Sequence, residues 1–550
     1  MAHTNINTPT RQPAGVPDDM ENQANVTPAG RHFNTFSDVH LLPVTPLRAG
    51  ALSCLYEHGN LRQITLGNTE VFTMLYSALR DETWATLPYD IRDEKIEQFE
   101  GGFRISYTAE YKHKGRQVYT ADIFLEGKPD NTISMEMRGR ALASFRRNRI
   151  GLCTLHSLWS KGAEVDVMAD DGSTTRYAFP QTISPHQVMM NIRRLNYAHQ
   201  GIRVECAFEG DIFETEDQRN WGDASFKTYS TPVSIPIPVD VNPGDAVYNK
   251  VTVKVTGTAV FAKRDEEEKT FPFPAMGYEK HYGAPLTDDE VEKLKGVPFD
   301  HYRVELDLSG VGWKNRLDEA AHEAALLGTR LEAVVFFDTM EADELDAVAQ
   351  ALAGKGRLVS HVLPLAIGYL ATPLRLLEQF YPLIKKLVPD VLVGYGSNTY
   401  FTEVNRERPE GDLYDFVSFP FFPQAHASDT RTIIENLQTG PDVIATIRSF
   451  TDKPIFVSPL TLAPRGNDVD PRQHTRFAAD WMLQCIASFG GAARITLEKA
   501  TGPRGLLAEG KASPLFEGLE RLRAIDVERI VRSADGSVMF QGRKGDWKLT

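Results

Sequence analysis

Glu403 and Glu498 are the side chains whose type and placement best suit catalysis. Each stands just past a short apolar run, in "GYGSNTYFTEVNRERP" and "ARITLEKATGPRG". Two carboxylates facing one small molecule can divide the work of acid and base when one is held protonated and the other ionised. Asn398 and Tyr400 precede Glu403, His426 lies in "FPQAHASD", and Arg465 closes "SPLTLAPR". The first three are donors suited to a developing oxyanion, and Arg465, like Arg406 and Arg504, offers a planar fork for a carboxylate. A metal mechanism finds no motif: H-E-x-x-H and Cys/His clusters are absent and the histidines are dispersed. Nor does "GYGSN" provide the G-x-S-x-G elbow of a serine hydrolase. The expectation is chemistry with no cofactor and no metal, by activated water or by direct attack of a carboxylate.

The elements that must position these residues fall into two blocks. From 40 to 265, runs such as "FRISYTAEY", "TISMEMRGRA" and "VTVKVTGTAVF" alternate apolar with polar residues between turn signals, which predicts an antiparallel β-sandwich. Two short stretches there, "TEVFTMLYSALRD" and "SPHQVMMNIRRL", read as helix candidates. Residues 266–299 are rich in charge, Pro and Gly and read as a linker. From 300 to 533 strands alternate with helices, the pattern of a (β/α)8 TIM-type barrel of about 250 residues. The count starts at "YRVELDLS" and ends at "VERIVRS", so that Glu403 follows strand four and Glu498 ends strand seven. An open doubly wound sheet is the competing architecture, opposed by the lack of any Gly-rich phosphate loop. Residues 1–39 read as a disordered leader and 534–550 as a β hairpin.

Composition narrows the partners. A net charge of −14, with no Lys/Arg block, disfavours nucleic acid and acidic membrane surfaces. No segment approaches the roughly 20 apolar residues of a membrane helix. The first thirty residues contain no apolar signal core, and the four scattered cysteines fit free thiols, so the expected location is the cytoplasm. A small carbohydrate-derived molecule is the expected partner, with homo-oligomerisation left open.

The stretch "EDQRNWGDASFKTY", residues 216–229, carries more hydrogen-bonding groups than a turn requires. A mixed role is expected, in which residues 216–220 fix the loop against the barrel and part of the remainder closes one wall of the pocket. Asn220, Trp221, Asp223 and Lys227 are its candidate substrate contacts. Together with "GLCTLHSL", "ISPHQ", "GYGSNTYFTEVNR", "FPQAHASD" and "VSPLTLAPR", this stretch resembles the D-apionate lactonase family from about residue 50 onward. The resemblance implies an N-terminal β domain, a barrel and a small C-terminal β domain, the last much shortened here to a remnant hairpin. It also implies hydrolysis of D-apionolactone to D-apionate in the breakdown of apiose.

The resulting expectation is a lactonase in which Glu498 is base or nucleophile and Glu403 protonates the departing ring oxygen. The alternative is a retaining glycoside hydrolase using the same two glutamates, by analogy with barrels that place them after strands four and seven. A third reading is a non-catalytic sugar-binding protein.

Overall fold

The computed structural model describes residues 36, 39, 41–258, 268–466, 468–533 and 536–549. Most of the expected leader lies outside them. Of its two described residues, Phe36 is buried with its ring 5.8 Å from that of Phe477, so this apolar side chain is taken into the barrel's outer core.

Two nine-stranded antiparallel sheets form the N-terminal sandwich. Their inner faces supply one core, to which Phe72, Leu75 and Leu79 contribute from one sheet and Ile105, Ile123 and Val253 from the other. Both helix candidates in this block are strands. "TEVFTMLYSALRD" is the strand Thr69–Asp81, nearly all of it buried, because Val71, Phe72 and Leu75 face the core while Ala78 and Tyr76 join a second small cluster. A strand covered on both faces loses its alternation, and its apolar run then mimics a helix. In "SPHQVMMNIRRL" the strand Met189–Ile192 pairs with Phe213–Asp217, and Arg194–His199 begins the next strand.

The second domain is a closed eight-stranded parallel barrel. Its first strand is Ala275–Glu279, inside the stretch read as linker. Two prolines in "FPFPAMGYEK" and a span of only 5 residues hid it from a search for apolar runs. Gly277 is required there, since a Cβ would lie 2.2 Å from the His301 ring that fills the barrel interior. The strands His301–Asp307, Arg330–Phe337, Val359–Ala366, Leu392–Gly396, Phe416–Phe421, Ile455–Leu460 and Arg494–Lys499 follow in order. "VERIVRS" is therefore not the eighth strand. Val527–Arg532 pairs instead with Lys269–Pro272 and with the hairpin Val538–Gly542 and Gly545–Leu549, a four-stranded sheet whose Phe540 and Trp547 pack on the barrel's core. Glu403 consequently follows strand five and Glu498 lies in strand eight. The analogy with strands four and seven loses its premise.

The domains meet along a polar seam. Arg62 of the sandwich reaches Asp429 at 2.8 Å, and Arg431 of the barrel reaches Glu57 at 3.0 Å. Residues 216–229 form a buried hairpin in this seam, with a 3-10 turn Gln218–Trp221 between the strands Phe213–Asp217 and Ser225–Tyr229. Gly222 ends that turn at φ +94°, where an added Cβ would meet the Phe421 ring at 2.9 Å.

Candidate active site

Strand two is built on a period of two. Tyr302, Val304 and Leu306 join the core between barrel and helices, which leaves His301, Arg303 and Glu305 to the interior. Arg303 is fully buried and organises the upper end of the barrel. Its Nη1 lies 3.0 Å from Glu279 Oε2 and donates to Glu305 Oε1 at 2.9 Å, while Nη2 donates to Asn398 Oδ1 at 2.8 Å. Asn398 Nδ2 in turn donates to Glu305 Oε1 at 2.9 Å. Arg465, from the loop after strand seven, reaches Glu305 Oε1 at 2.6 Å and both Glu279 oxygens at 3.4 Å. Lys499 of strand eight pairs with Glu279 Oε1. Strands one, two and eight are adjacent, so carboxylates and cations interleave over one side of the mouth, where strand ends hold the working groups of such barrels.

Electrostatics divides the carboxyl groups. Burial works to raise the Glu305 carboxyl, but Arg303, Arg465 and the Asn398 amide outweigh it and hold it well below the usual range. Burial pushes Glu498 up to about 7; Arg504 opposes this and the neighbouring Glu279 charge reinforces it. Glu498 Oε1 pairs with Arg504, and Oε2 is buried without a hydrogen-bond partner among the described residues. Arg504 also donates to the carbonyls of Ala463, Pro464, Gly466 and Asp468, bracing the loop that ends strand seven. That loop walls a cavity of about 610 Å³ lined by Gln424, Ser428, Arg465, Asp470 and Arg472. The size suits a monosaccharide-scale ligand.

Among the described residues Glu403 makes no ion pair or side-chain hydrogen bond with this group. It lies on the helix Phe401–Arg406, raised by burial and by Glu407, with Arg406 opposing. The groups that act on it and those that act on Glu498 have no member in common. Its companions are at the seam: Tyr400, raised by burial and then by Asp223 and Glu403, stands edge-on to Trp221 at 5.0 Å. His426 Nδ1 is 2.5 Å from Asp223 Oδ2. Asn220 and Lys227 have their donors engaged within the seam. Asn220 Nδ2 donates to the carbonyls of Ser184 and Asp217, and Lys227 pairs with Glu216 at 3.1 Å and lies over the Tyr229 ring. Of the residues singled out from sequence, Asn398 and Arg465 thus join the mouth cluster, with Glu498 beside it. Trp221, Asp223, Tyr400, His426 and Glu403 gather at the seam. Glu279, Arg303 and Glu305 escaped notice, although charged residues alternating with apolar ones in "HYRVELD" are a legible sign of an interior barrel face.

Comparison with known proteins gives concordant matches over both domains. A family model described as D-apionate lactonase, N-terminal domain, matches residues 35–258, and one described as D-apionate lactonase, TIM barrel domain, matches residues 278–527. The D-apionate lactonase of Brucella anthropi is 29% identical over 523 residues, covering 87% of this chain and 85% of that protein. Among solved structures, the catalytic domain of a Bacillus sp. JAMB-750 GH26 endo-β-1,4-mannanase is 13% identical with a TM-score of 0.33, covering 46% of this chain and 85% of its own. A glycoside hydrolase family 5 protein from Bacteroides vulgatus is 13% identical with a TM-score of 0.34, covering 49% and 74%.

Proposed function

The chain belongs to the D-apionate lactonase family, and from that premise we propose that it hydrolyses the lactone of a branched sugar acid, D-apionolactone or a close relative, at the mouth of its barrel. The observation that carries the chemistry is the pairing of environments: Glu305 held ionised among cations, and Glu498 brought to about 7 beside the same Glu279. A carboxyl group that titrates near neutrality is suited to take a proton from water as it attacks the lactone carbonyl. Arg465 and Lys499 bring the positive charge that a tetrahedral oxyanion requires. Glu305 and Asn398 offer an acceptor and an amide to the substrate hydroxyls. Glu279 and Glu305 already face Arg303, Arg465 and Lys499, a charge balance that favours a neutral sugar lactone over a divalent cation.

Proton release at fixed pH from a panel of aldonolactones tests the reading. Turnover of a branched or five-membered sugar lactone is the expected outcome; liberation of sugar from aryl glycosides with every lactone untouched would overturn it. Two variants grade the site. Arg465→Gln is expected to lower kcat/KM by about 10²-fold, the effect of removing one oxyanion donor. Glu403→Gln, which alters no contact of the mouth cluster, is expected to cost less than about tenfold, below the range of a group that transfers a proton. A larger loss in Glu403→Gln than in Glu498→Gln would reverse that assignment.

A further inference from the structure

Lactone opening leaves an alkoxide that needs a proton, and the seam holds a group built to give one. The geometry points to His426 as the general acid that protonates the departing ring oxygen, oriented by Asp223 from the other domain; the inference rests on the lactonase reading above. A carboxylate accepts only, so Asp223 Oδ2 receives the Nδ1 proton at 2.5 Å, which leaves Nε2 as the ring nitrogen available for proton transfer. This is the base-and-orienter arrangement found wherever an imidazole must hold one tautomer.

Asp223 is placed with unusual care. Its side chain is 7% exposed, and Asn436 Nδ2 stands 3.4 Å from its second oxygen. The turn carrying it is fastened on both sides to one barrel segment: Ala224 N donates to Asn436 Oδ1 at 3.0 Å, and Thr439 Oγ1 donates to the Gly222 carbonyl at 3.1 Å. The ring of His426 is edge-on to Trp221 at 6.2 Å. On the sandwich side the charged groups about it are Asp223, Glu216 and Arg80, the last donating to its backbone carbonyl at 3.2 Å. On the barrel side Tyr400 lies in the field of both Asp223 and Glu403. The loop that carries His426 reaches the cavity wall on either side of it, at Gln424 and Ser428. Asn398, bonded to Glu305, is two residues from Tyr400.

The step balances without a further reagent. Water adds to the carbonyl carbon and gives its proton to Glu498. For this step His426 starts as the imidazolium, with one proton on Nδ1 toward Asp223 and one on Nε2; the ring C–O bond breaks with its electron pair on oxygen, and that oxygen takes the Nε2 proton and leaves a neutral imidazole. The acid product releases its proton to solvent, and Glu498 and His426 return to their starting states by exchange with water.

Dependence on the leaving group separates this role from a structural one. On a sugar lactone, whose leaving group is an alkoxide, His426→Gln is expected to lose about 10²-fold or more in kcat. On a phenolic lactone that the parental enzyme turns over, such as dihydrocoumarin, the loss should fall below about tenfold, because a phenoxide departs without help. Glu498→Gln should lose on both. Asp223→Asn keeps the contact and removes the charge that supports the imidazolium, so its loss in kcat should likewise be larger on the sugar lactone than on the phenolic one. Equal losses of His426→Gln on the two substrates, or no loss on either, would overturn the assignment of His426 alone. If that variant is poorly folded, His426→Gly with added imidazole replaces it: recovery on the sugar lactone supports the role, and lack of recovery removes it. A parental enzyme inert to every lactone would instead sink the function on which the inference rests.

Discussion

Glu498→Gln is expected to reduce lactone turnover by about 10²–10⁴-fold, the span of a lost proton-transfer group, and at the same time to make the protein relatively more stable in alkaline solution. Both effects follow from one cause. The carboxyl is buried against a neighbouring carboxylate, and its titration moves from the ordinary 4.5 to about 7. A group raised in the folded state contributes stability that is complete below its unfolded value and is lost as pH climbs through the folded one. Between those limits the parental protein gives up about 3 kcal/mol, since a tenfold change in proton affinity is worth roughly 1.4 kcal/mol. Glutamine resembles the protonated carboxyl and does not titrate, so the variant avoids that loss. Denaturant midpoints at pH about 5 and about 8 should show the variant gaining on the parent by roughly that amount across the interval. The parental kcat should rise through a limb near neutrality, the zone in which a base with this titration becomes ionised. A profile flat from pH about 6 to 8 in the parent, or a difference in stability that ignores pH, would show that Glu498 titrates elsewhere.

The two-block organisation was legible because each block obeys one periodicity. Alternation in "FRISYTAEY" and "TISMEMRGRA" marks strands with one face in the core, and the spacing of strand and helix beyond residue 300 marks parallel construction. Reading failed where burial or brevity erased the pattern. Thr69–Asp81 is buried on both faces and reads as a helix; Ala275–Glu279 is short, small and preceded by proline and reads as linker. That second miss moved every barrel strand by one place, which is how an analogy with other barrels became attached to the wrong positions. The site was legible in part. Arg465 and Asn398 follow strand ends, where loops carry function, and were found on that ground. Arg303 and Glu279 lie within strands and are almost wholly buried, a condition that local sequence does not advertise for charged residues. The seam was harder still, because a contact such as Asp223 with His426 joins residues 203 apart in the chain. Only the density of polar groups in residues 216–229 hinted at it.

That density has its main use in Arg219, and Arg219→Met is expected to destabilise the protein by about 3–5 kcal/mol, the cost of removing one partner from a buried ionic group. The guanidinium is fully buried, 2.7 Å from Asp217 Oδ2 on its own hairpin and 2.8 Å from Asp442 Oδ2 on the barrel helix Gly440–Arg448. It donates further to the carbonyls of Pro180, Gln181 and Thr182, and its face lies over the Phe226 ring at 4.6 Å. Methionine fills much of the volume and restores none of these partners. Asp442 retains Lys161 at 2.9 Å, whereas Asp217 keeps only backbone N–H donors. Burial already raises the Asp217 carboxyl against the opposing charge of Arg219, so its loss should drive Asp217 further toward the neutral form. The penalty should therefore be greatest in alkaline solution and smaller in acid, opposite in sense to the Glu498→Gln gain. Because Arg219 lies four residues before Asp223, lactone turnover should fall along with the melting temperature. Adding Asp217→Asn to Arg219→Met should cost less than the two single losses combined, since the buried carboxylate left without a cation is then removed. A single variant within about 1 kcal/mol of the parent would mean that the seam holds without this residue, and would leave the polar richness of the hairpin to be explained by the substrate it faces.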